Sequence, residues 1–216
     1  MIVRPFEHWL FEDVEIEFGI ERIDEMSVLQ NWLSIKEKVV LPPRVEQLRL
    51  SLSKNVETWN EDELKMLFIS PFLLEFEFNH PPAYRVFTQR FMKLKTETVE
   101  SSGRVEWMVA TGKQRPRQPF FFLQEYKPEK NSGNDPLGQL LIALVDAQIK
   151  NEDQTELLYG CYTIGRFWFF VLLKEKQYSV SRAYDATQLE DIQAMYIILK
   201  KVEAHIQKML KIQTLH

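Results

Sequence analysis

The sequence predicts a mixed α/β domain in which helices cover a central sheet, and three observations carry that expectation. Apolar residues at helical spacing, as in Val45, Leu48, Leu52 and Val56, alternate along the chain with short runs rich in β formers, such as residues 120–127 and 167–173. A strongly apolar helix over residues 137–150 stands between two such runs, so a strand–helix–strand crossover should place a parallel pair beside an antiparallel hairpin. The chain also has the means to build a core: 216 residues, 45% hydrophobic, with 15 phenylalanines and only 7 glycines.

In order, the chain begins with an expected strand around Val14, Ile16 and Phe18, then a helix over residues 25–38. A second helix opens at Pro42-Pro43, where Pro43 suits a first turn. A third starts at Asn60, a good N-cap with Glu63 three residues on, and should stop near Ser70 because Pro71 follows. Residues 84–98, 105–110 and 120–127 read as three strands, the last two joined by a loop with Gly112, Pro116 and Pro119. Asp135 should cap the apolar helix that begins at Pro136. Strands over 157–164, 167–173 and 178–182 follow as a meander, with turns at Gly165-Arg166 and Glu175-Lys176. Thr187 and Glu190 form a capping-box pattern before a long C-terminal helix. Its stripe of Leu189, Ile192, Tyr196, Leu199, Val202, Ile206 and Leu210 should pack on the domain, the alternative being a homodimer seam.

Composition bounds function. The formal charge of −4 gives no global electrostatic case for nucleic acid, so any such binding must come from local patches. No run of about 18 uncharged apolar residues is present, so no membrane partner is expected. The first 13 residues include Glu7, Glu12 and Asp13 and lack a small-residue cleavage site, which argues against a signal peptide. The lone Cys161 cannot form an internal disulfide and fits a reducing, cytoplasmic setting. The four histidines are scattered, without zinc-ligand spacing.

Chemistry is concentrated in residues 120–127, where an apolar strand ends in Glu125 and Lys127 on one face with Tyr126 on the other. An acid and an amine there fit either a hydrolytic metal site or a same-face ion pair, which when exposed contributes only about 0–1 kcal/mol. Glu106 lies on the preceding strand, a natural hairpin partner; alone it reads equally as an outward charge on an edge strand. Glu63 reads as a cap residue, and Gln139, in the first turn of the buried helix, as a residue bonded to nearby backbone. Lys113, Arg115 and Arg117 in the hairpin loop are candidate phosphate contacts, with a solvated turn as the other explanation. Arg90, Lys93 and Lys95 on the preceding strand add cations, Arg90 out of phase with the other two. The aromatic residues within strands, including Trp107, read as core rather than as a base-stacking platform.

Together, Glu106-Trp107-Met108 on one strand, Gln124-Glu125-Tyr126-Lys127 on the next and Gln139 on the following helix resemble the PD-(D/E)XK nuclease superfamily, also called restriction endonuclease-like. The resemblance covers residues 60–164 and looks closest to small prokaryotic members. It implies a restriction endonuclease-like mixed sheet flanked by helices. The whole chain, 1–216, then reads as one domain: a mostly helical extension (1–59), a nuclease-like core (60–164), and C-terminal strands with a long helix (165–216). It further implies a metal-dependent nuclease acting on DNA, with Glu106 and Glu125 as ligands of Mg2+ or Mn2+ and Glu63 as an additional ligand. Lys127 would assist water attack, and Gln139 would position the water or substrate. The superfamily usually has Asp at the Glu106 position, one methylene shorter. The alternative is a catalytically inactive module of the same fold for protein or nucleic-acid interaction.

Overall fold

A computed structural model of the protein describes residues 1–23, 32, 35, 39–127, 135–151, 153 and 155–211, with only the backbone of Lys127. It is a mixed α/β structure built on one nine-stranded sheet. Its three longest strands are consecutive, β3 (Arg85–Lys95), β4 (Val99–Thr111) and β5 (Arg117–Lys127), with β3 at one edge of the sheet. β3 and β5 both run antiparallel to β4. The expected crossover is present: the helix Pro136–Lys150 leads to β6 (Leu158–Ile164), which lies parallel to β5. β7 (Phe167–Lys174) and β8 (Gln177–Val180) continue as an antiparallel meander, and β9 (Tyr184–Asp185) adds a short pair to β7.

Both remaining strands come from the first 22 residues. β1 (Ile2–Pro5) runs parallel to β4, and β2 (Glu21–Arg22) parallel to β8. Between them the structure corrects the sequence reading: Val14, Ile16 and Phe18 belong to a helix, α1 (Phe11–Phe18), not a strand. Their alternation carried no strand signal, since Val14 is buried while Ile16 is exposed. Gly19 ends the helix at φ 59° in the left-handed region, which glycine adopts without a Cβ penalty. The helix expected over 25–38 lies largely outside the described residues.

α2 (Pro43–Asn55) has proline in its first turn, as expected. The next helical run, α3, comprises Glu61–Leu64, a π turn over Lys65–Ile69, and Ser70–Leu73. Pro71 therefore does not end it. The π turn, in which the Ser70 N–H bonds the Lys65 carbonyl, resets the hydrogen-bond register, and Pro71 falls in the first turn of the next segment, where its missing N–H costs least. Asp135 caps α4 (Pro136–Lys150): its Oδ1 accepts from the Leu137 N–H at 3.0 Å. The C-terminal helix α5 (Leu189–Met209) lacks the expected capping box. Thr187 instead turns back on Asp185, donating its hydroxyl at 2.7 Å, and Gln188 takes the N-cap position without a side-chain bond.

Alternate residues along the strands serve two cores. One face carries Trp107, Phe122 and Trp168 against Leu52 of α2, Phe68 and Phe72 of α3, and Leu199 and Val202 of α5. The other carries Met108, Leu123 and Val171 against Val14 of α1 and Leu141 and Leu144 of α4. Each such side chain contributes roughly 1.5–3 kcal/mol when fully buried. Much of the α5 stripe is thus spent on the protein's own core, although Leu189 stays exposed. No helix among the described residues is long and apolar enough to cross a membrane.

Candidate functional site

The edge of β4 that faces β5 is shared. β1 pairs with its first part, ending at Pro5 opposite Ser102, and β5 pairs with its last part, reaching Gln124 opposite Trp107. Between these contacts residues 103–106 have no ladder partner on that edge among the described residues. A split of this kind leaves a crevice, and crevices at the carboxyl ends of parallel strands are where α/β sheets most often hold ligands. Here β5 ends, and α4 begins just beyond it.

That crevice is a cavity of about 310 Å³ lined by Glu106, Glu125 and Gln139, with Gln89, Arg104, Gly103 and Phe6–Glu7 among its other walls. One step past the last paired position, Trp107–Gln124, β4 carries Glu106 and β5 carries Glu125, and both acids line this cavity. Glu125 is only 3% exposed. Gln139, 8% exposed, stands in the first turn of α4, and its Oε1 has no hydrogen-bond partner among the described residues. A buried amide oxygen in that position costs free energy unless something donates to it. Lys127 closes β5 opposite Ile164 of β6, two positions beyond Glu125; its side chain lies outside the described residues.

β3 is irregular opposite the acid. The β3–β4 ladder keeps one register from Thr88–Trp107 to Arg90–Val105, and at the position between them, Gln89 opposite Glu106, Gln89 adopts φ 53° in the left-handed region. The left-handed residue changes which side chains of β3 face the core: Phe87 before it is buried, and Met92 and Leu94 after it. Gln89 Nε2 donates to Glu106 Oε2, and Lys65 Nζ lies 2.9 Å from the same oxygen. Lys65 also donates to Glu61 Oε1 at 2.6 Å and stands 5.1 Å from the centre of the Tyr126 ring. Burial would push its ammonium pKa down, but the contacts with Glu61 and Glu106 outweigh this and hold it above the ordinary lysine value. The π turn that begins at Lys65 coincides with this contact, and such turns often mark functional sites.

The remaining sequence candidates fall elsewhere. Glu63 is a cap: the Asn60 N–H donates to its Oε2 at 2.8 Å, the Glu63 N–H donates to Asn60 Oδ1 at 2.9 Å, and it is not among the cavity walls. Asn60→Ala is therefore expected to cost about 1 kcal/mol of stability by chemical denaturation, while Glu63→Gln leaves divalent-cation binding unchanged. Lys113, Arg115 and Arg117 are exposed and border a second, open depression at the other end of β4, roughly 17 Å along the strand from Glu106. The structure thus brings Glu106, Glu125 and Gln139 together and leaves Glu63 and the basic loop apart. Among the described residues, no three His, Cys, Asp or Glu side chains converge as a ready-made metal cluster.

Lys65, Gln89 and Arg104 escaped the sequence reading. Only Lys65 left a trace, as the i,i+4 partner of Glu61, which reads as an ordinary surface pair. No protein-family model matches the chain, and comparison with curated proteins gives no match.

Proposed function

We propose that this protein is a divalent-cation-dependent phosphodiesterase acting on DNA, built on the restriction endonuclease-like arrangement. The observation that carries the reading is that Glu106 and Glu125 line one cavity with Gln139 at the head of the next helix. This donor set suits a hard cation. Magnesium is usually held by one or two carboxylates, with waters and substrate phosphate oxygens completing an octahedron, so two acids suffice.

Such a cation, when bound, polarises the scissile phosphodiester and lowers the pKa of water. Glu106 and Glu125 would hold it. Lys127, on the same strand as Glu125, would stabilise charge growing on the phosphoryl oxygens, and Gln139 Oε1 would orient the attacking water by accepting its proton in a hydrogen bond. Glu106 stands where aspartate is usual, and its partner position on β3 is the left-handed Gln89.

A specific contact favours a second reading. Lys65 already supplies a counter-charge to Glu106 at 2.9 Å. In a non-catalytic module of the same fold, that ammonium would stand in for the cation, and the surface would serve protein or nucleic-acid interaction.

A cleavage assay separates the readings. Labelled single- and double-stranded DNA is incubated with the protein in Mg2+ or Mn2+, with EDTA and Lys127→Ala as controls. Cleavage that requires the cation and is lost in Lys127→Ala is expected. Cleavage unchanged in Lys127→Ala would sink the mechanism, and no cleavage in any condition would favour the non-catalytic module.

A further inference from the structure

We infer that the protein binds single-stranded nucleic acid along a basic track that leads over Phe91 to the acid cavity. The inference deepens the proposed function by naming the form of the substrate; it rests on that reading for the chemistry, but not for binding.

The track consists of two depressions that share Thr111 and Arg117 and are therefore continuous. Their walls include Lys93, Lys113, Arg115, Arg117 and Lys150, and no aspartate or glutamate. In a chain of net charge −4, such a wall is a local concentration of positive charge. Lys93 and Lys150 are each held by an acid outside the track, Glu100 and Asp146. Lys113, Arg115 and Arg117 form no ion pair among the described residues, which leaves three exposed cations to displace counterions from a phosphate chain.

Phe91 makes the track more than a cationic patch. Met92 and Leu94 take the buried face of β3, so Phe91 points outward and is 60% exposed on the wall of the depression. A single exposed phenylalanine is unremarkable in itself. Among phosphate-binding cations, however, an open ring face is a stacking platform, and stacking on it requires a base freed from its neighbours. A duplex presents no such base, so the surface selects single strands.

Register connects this platform to the chemistry. Phe91 is the direct partner of Arg104 across β3 and β4, and Arg104 lines the acid cavity. Their Cα atoms are roughly 5 Å apart, as in any paired position. Arg104 also donates at 3.1 Å to the carbonyl of Gln89, the residue whose side-chain amide holds Glu106. A strand anchored in the basic depression and stacked on Phe91 would thus pass its next phosphates over Arg104 toward Glu106 and Glu125.

The test is fluorescence anisotropy with a labelled 15-nucleotide single strand, DNA or RNA, and the matching duplex, in EDTA so that no hydrolysis intervenes. The expected result is single-strand binding at least about 10-fold tighter than duplex binding, weakened about 10-fold by Phe91→Ala and restored by Phe91→Trp. Arg115→Gln and Arg117→Gln should each lower the slope of log affinity against log salt by about 0.7. Phe91 is exposed, so these variants fold, and thermal melting verifies it. Equal affinity for duplex, equal affinity for inorganic polyphosphate, or an unchanged affinity in Phe91→Ala would overturn the inference. Since cleavage is not measured, loss of activity in the metal assay and loss of this track are told apart.

Discussion

Glu125→Gln should lower the rate of Mg2+-dependent cleavage by roughly 10²–10³-fold, in the range seen when one preorganised electrostatic contact to a reacting group is removed. The glutamine keeps the shape and hydrogen-bonding capacity of the side chain but not its charge. One carboxylate is a far weaker anchor for a hard cation than two. The same change should leave the melting temperature unchanged or raise it. Glu125 is almost fully buried, and burying a carboxylate carries a desolvation cost that a neutral glutamine avoids. A substitution that removes activity while preserving or improving stability marks a group retained for chemistry. Equal losses of both would assign Glu125 a structural role. Single-turnover cleavage and a thermal melt of the same preparation give the two numbers.

Gly138→Ala should be the most damaging small substitution. A Cβ at Gly138 would lie 2.2 Å from the Trp9 carbonyl oxygen and 2.7 Å from backbone atoms of Leu10 and Phe11. Backbone cannot swing aside as a side-chain tip can. Either α4 moves outward or the segment before α1 is displaced, and that segment is also tied to α4 by the Phe11 N–H donating to Asp135 Oδ2 at 2.7 Å. Overpacking of this kind costs about 3 kcal/mol, which for a chain of this length lowers the melting temperature by roughly 6–12 °C. Gln139 is the next residue, so the shift should also move the one buried amide of the cavity. Thermal melting measures the first effect; substrate affinity at a temperature where the variant remains folded measures the second.

The legible parts of the fold were those written in local chemistry. α2 and α4 announced themselves through Pro43, Asp135 and their apolar spacing, and the crossover between β5 and β6 followed from α4 standing between two apolar runs. The missed parts depended on distant partners. β1 has only four residues and exists because it pairs with Val99–Ser102, nearly a hundred positions away. Its loss from the sequence reading mattered, because the handover on β4 from β1 to β5 is what opens the cavity. α1 was misread because three apolar residues in alternation outweighed Gly19, whose place just after them was the better signal.

The candidate site divides in the same way. Glu106, Glu125 and Gln139 could be placed near one another because hairpin pairing and a following helix are short-range consequences of order. The cap bonds of Glu63 with Asn60 are local and follow from their spacing of three. Lys65 was invisible because its contact with Glu106 spans 41 positions and depends on a π turn, for which the sequence carries no simple code. Phe91 lies within a strand by pattern, and the left-handed Gln89 together with the burial of Met92 and Leu94 turns it outward.

Calorimetric titration of Mn2+ into the wild-type protein, Glu106→Gln and Glu125→Gln tests the central claim most directly. The account predicts binding in the millimolar range or tighter to the wild type, weakened at least about 10-fold in each variant, a loss typical of damaged metal sites. Wild-type protein that binds no Mn2+, or binding that both substitutions leave unchanged, would contradict it.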